Sequence, residues 1–326
     1  MTNSKKLLED LPWAQSPLLI KPMSGVAGSE LAIAVTRAGG LGQIGFIDDP
    51  RVLEEELERY RLQLDSVKME DILPIGIGII VIGASLSSTL PLLAKYKPAV
   101  VIRGVSPVTK VWIQIGSVGA ALQAAQACRP DALVLQGSDA GGQGHARGSS
   151  IITLVPEVDD TLHAHDIDNI PLVAAGGIMD GRAAAAAFML GASGVVMGTR
   201  FLGADEVDLP LEYRREILQA ADGGESTARS RVFDEMWGPS AWPEIYDGRC
   251  LRNSCYDDLQ SGRSMDEIRS RVYQKLFQKG ASGNLDVKDV SSMWAGTGVG
   301  MVRKTQRAEA IVEEVRVGAR QRLQLA

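Results

Sequence analysis

The stretch that decides the fold is PLVAAGGIMDGRAAAAAFMLGASGVVMGTRFL, residues 171–202. An apolar run ends in Gly176-Gly177, an alanine-rich helical segment follows from 180 to 190, and a second apolar run ends in Gly198-Thr199. A strand, a crossover helix and a second strand make a βαβ unit, and the near-continuous apolar character of both strands marks a parallel sheet covered on its two faces. Working outward, similar runs recur at 18–23, 41–46, 73–81, 99–102, 110–116 and 132–137. Together with 171–176 and 194–198 they make eight strands. Helical patterns at 29–38, 50–64, 118–128 and 180–190 begin with capping-type residues or proline. Eight strands alternating with helices predict an α/β fold of the (β/α)8 barrel type, and 326 residues lie inside the range of such a single domain.

One connection departs from the pattern. Only RGVSPVT, residues 103–109, separates the fourth strand from the fifth, whereas a parallel crossover takes about a dozen residues or more. The spacing therefore predicts a barrel without its fourth helix. After Phe201 the periodicity gives way to a polar stretch from 205 to 264 with Pro210, Gly223-Gly224, WGPSAWP (237–243) and DGR (247–249). This predicts an inserted subdomain at about 203–264 ahead of the last barrel helix, within one domain spanning 1–326.

Composition excludes several classes. Hydrophobic residues at 45% supply a substantial core, and Lys+Arg 34 against Asp+Glu 40, without a basic cluster, leaves no footprint for nucleic acid. The longest apolar run, ILPIGIGIIVIG (72–83), is broken by glycines and falls short of the roughly 18 residues of a membrane helix. The first residues lack an apolar signal core, so a cytoplasmic, membrane-free protein is expected. Cys128, Cys250 and Cys255 match no zinc spacing, and His163 with His165 lacks a third ligand, so no metal site is expected.

Three glycine-rich blocks sit where a barrel places its chemistry, at strand C-termini. Gly176-Gly177 and Gly198-Thr199 end the seventh and eighth strands, where backbone N–H groups beside a helix start bind phosphate. QGSDAGGQGHARG (136–148) follows the sixth strand, with five glycines and one of three histidines. KPMSGVAG (21–28) ends the first. No GxxxxGK[ST] loop and no dinucleotide fingerprint is present.

PMSGV (22–26), ELAIAVTRAGGLGQIG (30–45), QGSDAGG (136–142), the 171–202 block and WAGTGVG (294–300), in that order, resemble the nitronate monooxygenase family, formerly 2-nitropropane dioxygenases. The inserted WPEIYDGR segment (242–249) is similar to the fungal-type branch. The resemblance implies a TIM barrel holding FMN, an oxidoreductase that takes a small alkyl nitronate and O2 to a carbonyl compound and nitrite. By motif, Pro22, Met23 and Ser24 would line the flavin ring, Gln136, Gly141 and Gly142 would contact it, and Gly176, Gly177, Gly198 and Thr199 would hold its phosphate. Family members carry a histidine after the paired glycines, but here Gln143 stands in that position and His145 is the nearest histidine. Glutamine takes no proton but donates hydrogen bonds to a nitronate's oxygens. His145 is then the candidate base, displaced by two residues.

Relatives also carry a longer connection at 103–109, which leaves a remodelled wall or a gene-model error as the alternatives for that segment. The same fold admits an FMN-dependent reductase using NAD(P)H, a pathway-specific redox enzyme, or a non-catalytic flavin-binding remnant. Self-association is left open.

Overall fold

The computed structural model describes residues 3–16, 18–20, 26–64, 72–80, 87–101, 109–278 and 291–324. Eight parallel strands form one sheet: β1 (Leu18–Ile20), β2 (Gln43–Ile44), β3 (Leu73–Ile77), β4 (Pro98–Val101), β5 (Lys110–Ile115), β6 (Ala132–Gln136), β8 (Leu172–Ala175) and β9 (Gly194–Met197). Their spatial order is β1-β9-β8-β6-β5-β4-β3-β2, so β1 and β2 are the two ends of the hydrogen-bonded order. All eight expected strands are present, most with shorter bounds. The third ends at Ile77; Gly78 still donates to the Ile44 carbonyl at 2.9 Å, and Gly78 to Ile80 line a cavity.

Strand parity sorts the side chains into two layers. Trp112, Ala132, Val134, Val173, Ala175 and Val196 form one buried cluster with Leu7 of α1 (Asn3–Asp10) and Leu11 just after it, so this segment packs against the inner wall. The alternate residues Leu133, Leu135, Leu172, Ala174, Val195 and Met197 pack outward against helices. Those helices are α2 (Ser29–Arg37), α5 (Val118–Cys128), α6 (Ile151–His163), α7 (Gly181–Met189) and a C-terminal helix, α13 (Ala308–Leu323). On the β2–β3 side, α3 (Pro50–Gln63) and α4 (Leu90–Tyr96) cover Ile44, Ile75 and Ile77. The sequence marks no helix between the 73–81 and 99–102 runs, and between 132–137 and 171–176 it places His163 and His165 around a helix without bounds. The structure puts α4 in the first interval and α6, with Pro156 inside it, in the second.

Val100 and Val101 pair with Lys110 and Val111, so the start of β5 lies level with the end of β4. A connection between these strands does not have to return along the full length of a strand, and the dozen-residue expectation assumes that it does. Residues 102–108, which hold all but Thr109 of the 103–109 segment, lie outside the described residues.

The polar stretch after Phe201 is folded. It contains α8 (Leu211–Gln219), α9 (Gly223–Ser226), β10 (Thr227–Ser230), α10 (Val232–Glu235), β11 (Tyr246–Leu251) and α11 (Ser254–Gln260), followed by α12 (Met265–Gln278). Ile217, Val232, Phe233, Met236, Cys250, Leu251, Ile268 and Val272 make its own apolar cluster, which reaches the barrel through Met179 and Leu202. A short β7 (Gly142–His145) pairs antiparallel with β11, which pairs antiparallel with β10. Among the described residues, no helix is long and apolar enough to cross a membrane.

Candidate active site

A cavity of about 800 Å3 opens at the C-terminal ends of the strands. Gln136, Gly141, Gly142, Gln143, His145, Gly176, Gly177, Gly198 and Thr199 all line it, although they come from three different strand ends. Pro22, Met23 and Ser24 lie outside the described residues.

The 136–148 block is not a free loop. Gln143 stands opposite Gly248, and His145 opposite Tyr246, in the β7–β11 ladder. Because side chains alternate along a strand, Gln143 and His145 occupy the same face of β7, one pleat repeat of about 7 Å apart. His145 therefore shares the cavity side with Gln143.

Hydrogen bonds fix the amides. Gln136, the inward residue at the end of β6, donates from Nε2 to the Gln143 carbonyl at 2.9 Å and accepts from Gln114 Nε2. Gln143 Nε2 donates to Asp234 Oδ1 at 2.6 Å. Burial pushes the Asp234 carboxyl upward, partly offset by the Gln143 hydrogen bond and by Arg231. His145 Nδ1 accepts the Arg147 backbone N–H at 3.2 Å, which leaves the ring proton on Nε2 in the neutral form. Arg249 on β11 donates from Nε to the Ser138 carbonyl at 3.1 Å, tying the insertion to the loop after β6. Burial, then the neighbouring Arg229 charge, pull its guanidinium below the usual arginine range.

The glycine turns differ in a way the sequence concealed. Gly176 and Gly177 adopt φ of +111° and +70°, backbone that other residues rarely adopt. The helix start beside them is already occupied, since the Asp180 carboxylate caps α7 by accepting from the Arg182 and Ala183 N–H groups. The uncapped start belongs instead to the 3-10 helix Thr199–Gly203, whose N-cap Gly198 has no side chain to offer. Thr199 Oγ1 accepts the Gly296 N–H at 2.9 Å. Gly296 belongs to the WAGTGVG motif, and Thr297 bonds Asp139 twice, through its N–H to the carbonyl at 3.0 Å and through Oγ1 to Oδ1 at 3.1 Å. That motif thus wedges between the loops of β6 and β9.

His163 and His165 sit away from the cavity at the end of α6. His163 Nδ1 lies 2.8 Å from Asp168 Oδ1, and His165 Nδ1 lies 2.8 Å from the Thr161 carbonyl. Among the described residues no cluster of three or more His, Cys, Asp or Glu assembles as a metal site.

A family model described as nitronate monooxygenase matches residues 92–317. The chain belongs to the nitronate monooxygenase family. It is 38% identical to nitronate monooxygenase npaC of Metarhizium robertsii, over 96% of this chain and 94% of that relative. To the nitronate monooxygenase of Neurospora crassa it is 34% identical, over 98% and 93%. Among solved structures, FabK from Thermotoga maritima superposes with a TM-score of 0.76 at 25% identity, covering 98% of this chain and 97% of that one. A nitroalkane oxidase from Streptomyces ansochromogenes superposes at 0.73 with 21% identity, over 97% and 99%. As a nitronate monooxygenase-family chain it is an oxidoreductase on an α/β barrel.

Sequence reasoning missed Asp234, Gln114, Trp242, Tyr246 and Trp294 as cavity residues. For Asp234 no local signal existed, because RVFDEMW carries no catalytic spacing. Tyr246 and Trp242 lay inside the WPEIYDGR segment, whose role as the partner strand of β7 is a tertiary fact.

Proposed function

We propose that this chain oxidises small alkyl nitronates with O2, in an FMN-dependent reaction that gives a carbonyl compound and nitrite. The observation that carries this reading is the convergence of two glycine turns and two hydrogen-bonding glutamines on one cavity in a member of this family. Its volume, about 800 Å3, lies within the range of small-molecule and cofactor sites.

The residues present fit a single terminal phosphate. At Gly176 a β-carbon would come within 3.0 Å of the Ala140 N atom and 3.2 Å of the Gly137 carbonyl, so the cradle tolerates backbone only. Gly177, Gly198 and Thr199 would hold the phosphate of FMN, with Gln136, Gly141 and Gly142 against the ring. No second phosphate fingerprint stands in the sequence, which favours FMN over FAD. When bound, FMN supplies the electron transfer that no side chain offers.

This chain's own groups bind and orient the substrate. Gln143 Nε2 carries two hydrogens, one engaged by Asp234, and the second, which has no partner among the described residues, would serve a nitronate oxygen. His145, protonated on Nε2, supplies another donor from the same face of β7. Both would hold an anion in an otherwise largely apolar chamber lined by Ile79, Ile113, Met179 and Trp294.

The test is anaerobic mixing of purified protein with a panel of alkyl nitronates while flavin absorbance is followed, then admission of air and assay of nitrite. Bleaching by nitronates with nitrite release is expected, and heat-released cofactor should be FMN. Rapid bleaching by NADPH with no response to any nitronate would replace this reading with the reductase alternative.

A further inference from the structure

Resting on the nitronate reading, we propose that the Asp234 carboxylate, held by Gln143, takes the α-proton of a neutral nitroalkane and so generates the nitronate inside the site. In this step the α C–H bond breaks, its electron pair passes into the nitro group, and the proton goes to an Asp234 oxygen. Neither oxidant nor reductant is consumed, and Asp234 later returns the proton to solvent.

Four observations converge on this residue. Among the described residues lining the cavity, Asp234 is the only carboxylate and His145 the only imidazole. His145 Nδ1 is already engaged as the acceptor of the Arg147 N–H, which leaves the ring's other nitrogen as a donor. Asp234 Oδ1 is anchored by Gln143 Nε2 at 2.6 Å, which orients the carboxylate without neutralising it. Finally, the surroundings favour proton uptake. Burial raises its affinity for a proton, Glu235 beside it on α10 and Asp247 on β11 add to this, and the Gln143 hydrogen bond and Arg231 at the N-cap of α10 oppose it without cancelling it. The Cys250 thiol on β11, itself pushed up by burial, completes that side, and Arg269 of α12 bonds the Glu235 carbonyl at 2.7 Å.

Gln143 is then a positioning residue suited to both protonation states. With Asp234 ionised, its amide must present Nε2, and its Oε1 is buried without a partner among the described residues. Once Asp234 holds a proton it becomes a donor, and a half-turn of the amide would pair that proton with Oε1. The Gln143 amide of β7 and the Asp234 carboxylate of α10 then act as one unit.

The experiment separates proton removal from oxidation. Nitroethane is incubated anaerobically with flavin-loaded protein in D2O, and loss of the α-proton signal is followed by NMR across pH. Exchange is expected to rise with pH through a value above that of an ordinary aspartate. Asp234→Asn should slow it at least about 100-fold, the lower end for a positioned acid or base. The nitroethane-to-ethylnitronate ratio of kcat/KM should fall by the same factor. His145→Asn, which removes a substrate donor, should lower the rate while the pH of the rising limb stays in place. Exchange within about twofold of the parent in Asp234→Asn would overturn the proposal, as would a limb that vanishes in His145→Asn. If Asp234→Asn fails to retain flavin, Asp234→Glu and the pH profile of the parent decide: a flat profile overturns it. Failure of the parent to oxidise preformed ethylnitronate would sink the nitronate reading instead, and oxidation without any exchange would sink Asp234 alone.

Discussion

Gln143 and Gly248 face each other across β7 and β11, and there is no room between them for a side chain. A β-carbon on Gly248 would lie 2.3 Å from the Trp294 ring and 3.0 Å from Gln143 Nε2. The backbone of β11 therefore presses against the Gln143 amide.

Gly248→Ala should displace either Trp294 or the Gln143 amide. Overpacking of this kind costs about 1–3 kcal/mol. The expected outcome is a lowered Tm together with a raised KM for nitronates. Unchanged stability and kinetics would mean that the ring yields without cost.

Gly177 and Gly198 offer a matched pair of tests. Gly177 has φ +70°, so Gly177→Ala carries about 1–2 kcal/mol of backbone strain besides any clash with a ligand. Gly198 has φ −106°, which alanine adopts freely. Both variants should lose flavin, read from visible absorbance, but only Gly177→Ala should lose comparable stability as apoprotein. Retained flavin in both would remove the phosphate role.

Gly296→Ala tests the wedge. A β-carbon there would lie 2.4 Å from the Asp139 carbonyl and 2.9 Å from the Gly141 N atom, both backbone. Since neither can swing aside, the loops after β6 and β9 must part. We expect loss of bound flavin and a lowered denaturant midpoint with an unchanged m value.

Asp180 gives a pH-dependent stability. Burial pushes its carboxyl up, but the Arg182 guanidinium and the Arg182 and Ala183 N–H groups outweigh this and hold it below the usual range. Its contribution is therefore complete above the ordinary carboxylate pKa and fades as pH falls through the lowered value. Asp180→Ala should cost about 1 kcal/mol at neutral pH, as caps do, and the gap from the parent should close in acid. A gap that stays constant with pH would show that the cap is not electrostatic.

His163 should titrate above its ordinary value of about 6.5, because the Asp168 hydrogen bond and charge favour the imidazolium. Any stability it adds is present below the ordinary pKa and is lost as pH rises through the raised one. An NMR titration is expected to return to the ordinary value in Asp168→Asn.

The sequence by itself determined the eight parallel strands and their order, because a doubly covered strand must be apolar along its whole length and glycines must end it where backbone turns sharply. It also determined the family and the glycine turns, since φ of +111° and +70° leave glycine almost without competitors. Only the tertiary structure decided what QGSDAGGQGHARG is. As an isolated string it reads as a loop, for its glycines carry no β propensity, and the ladder with Tyr246–Leu251 is what makes Gly142–His145 a strand. The same pairing put Gln143 and His145 on one face and brought Asp234, 91 residues away in sequence, to 2.6 Å from Gln143. A contact of that span leaves no periodicity in either segment. It arises when a separate apolar cluster, built on Val232, Phe233 and Cys250, docks against the barrel and carries its carboxylate with it.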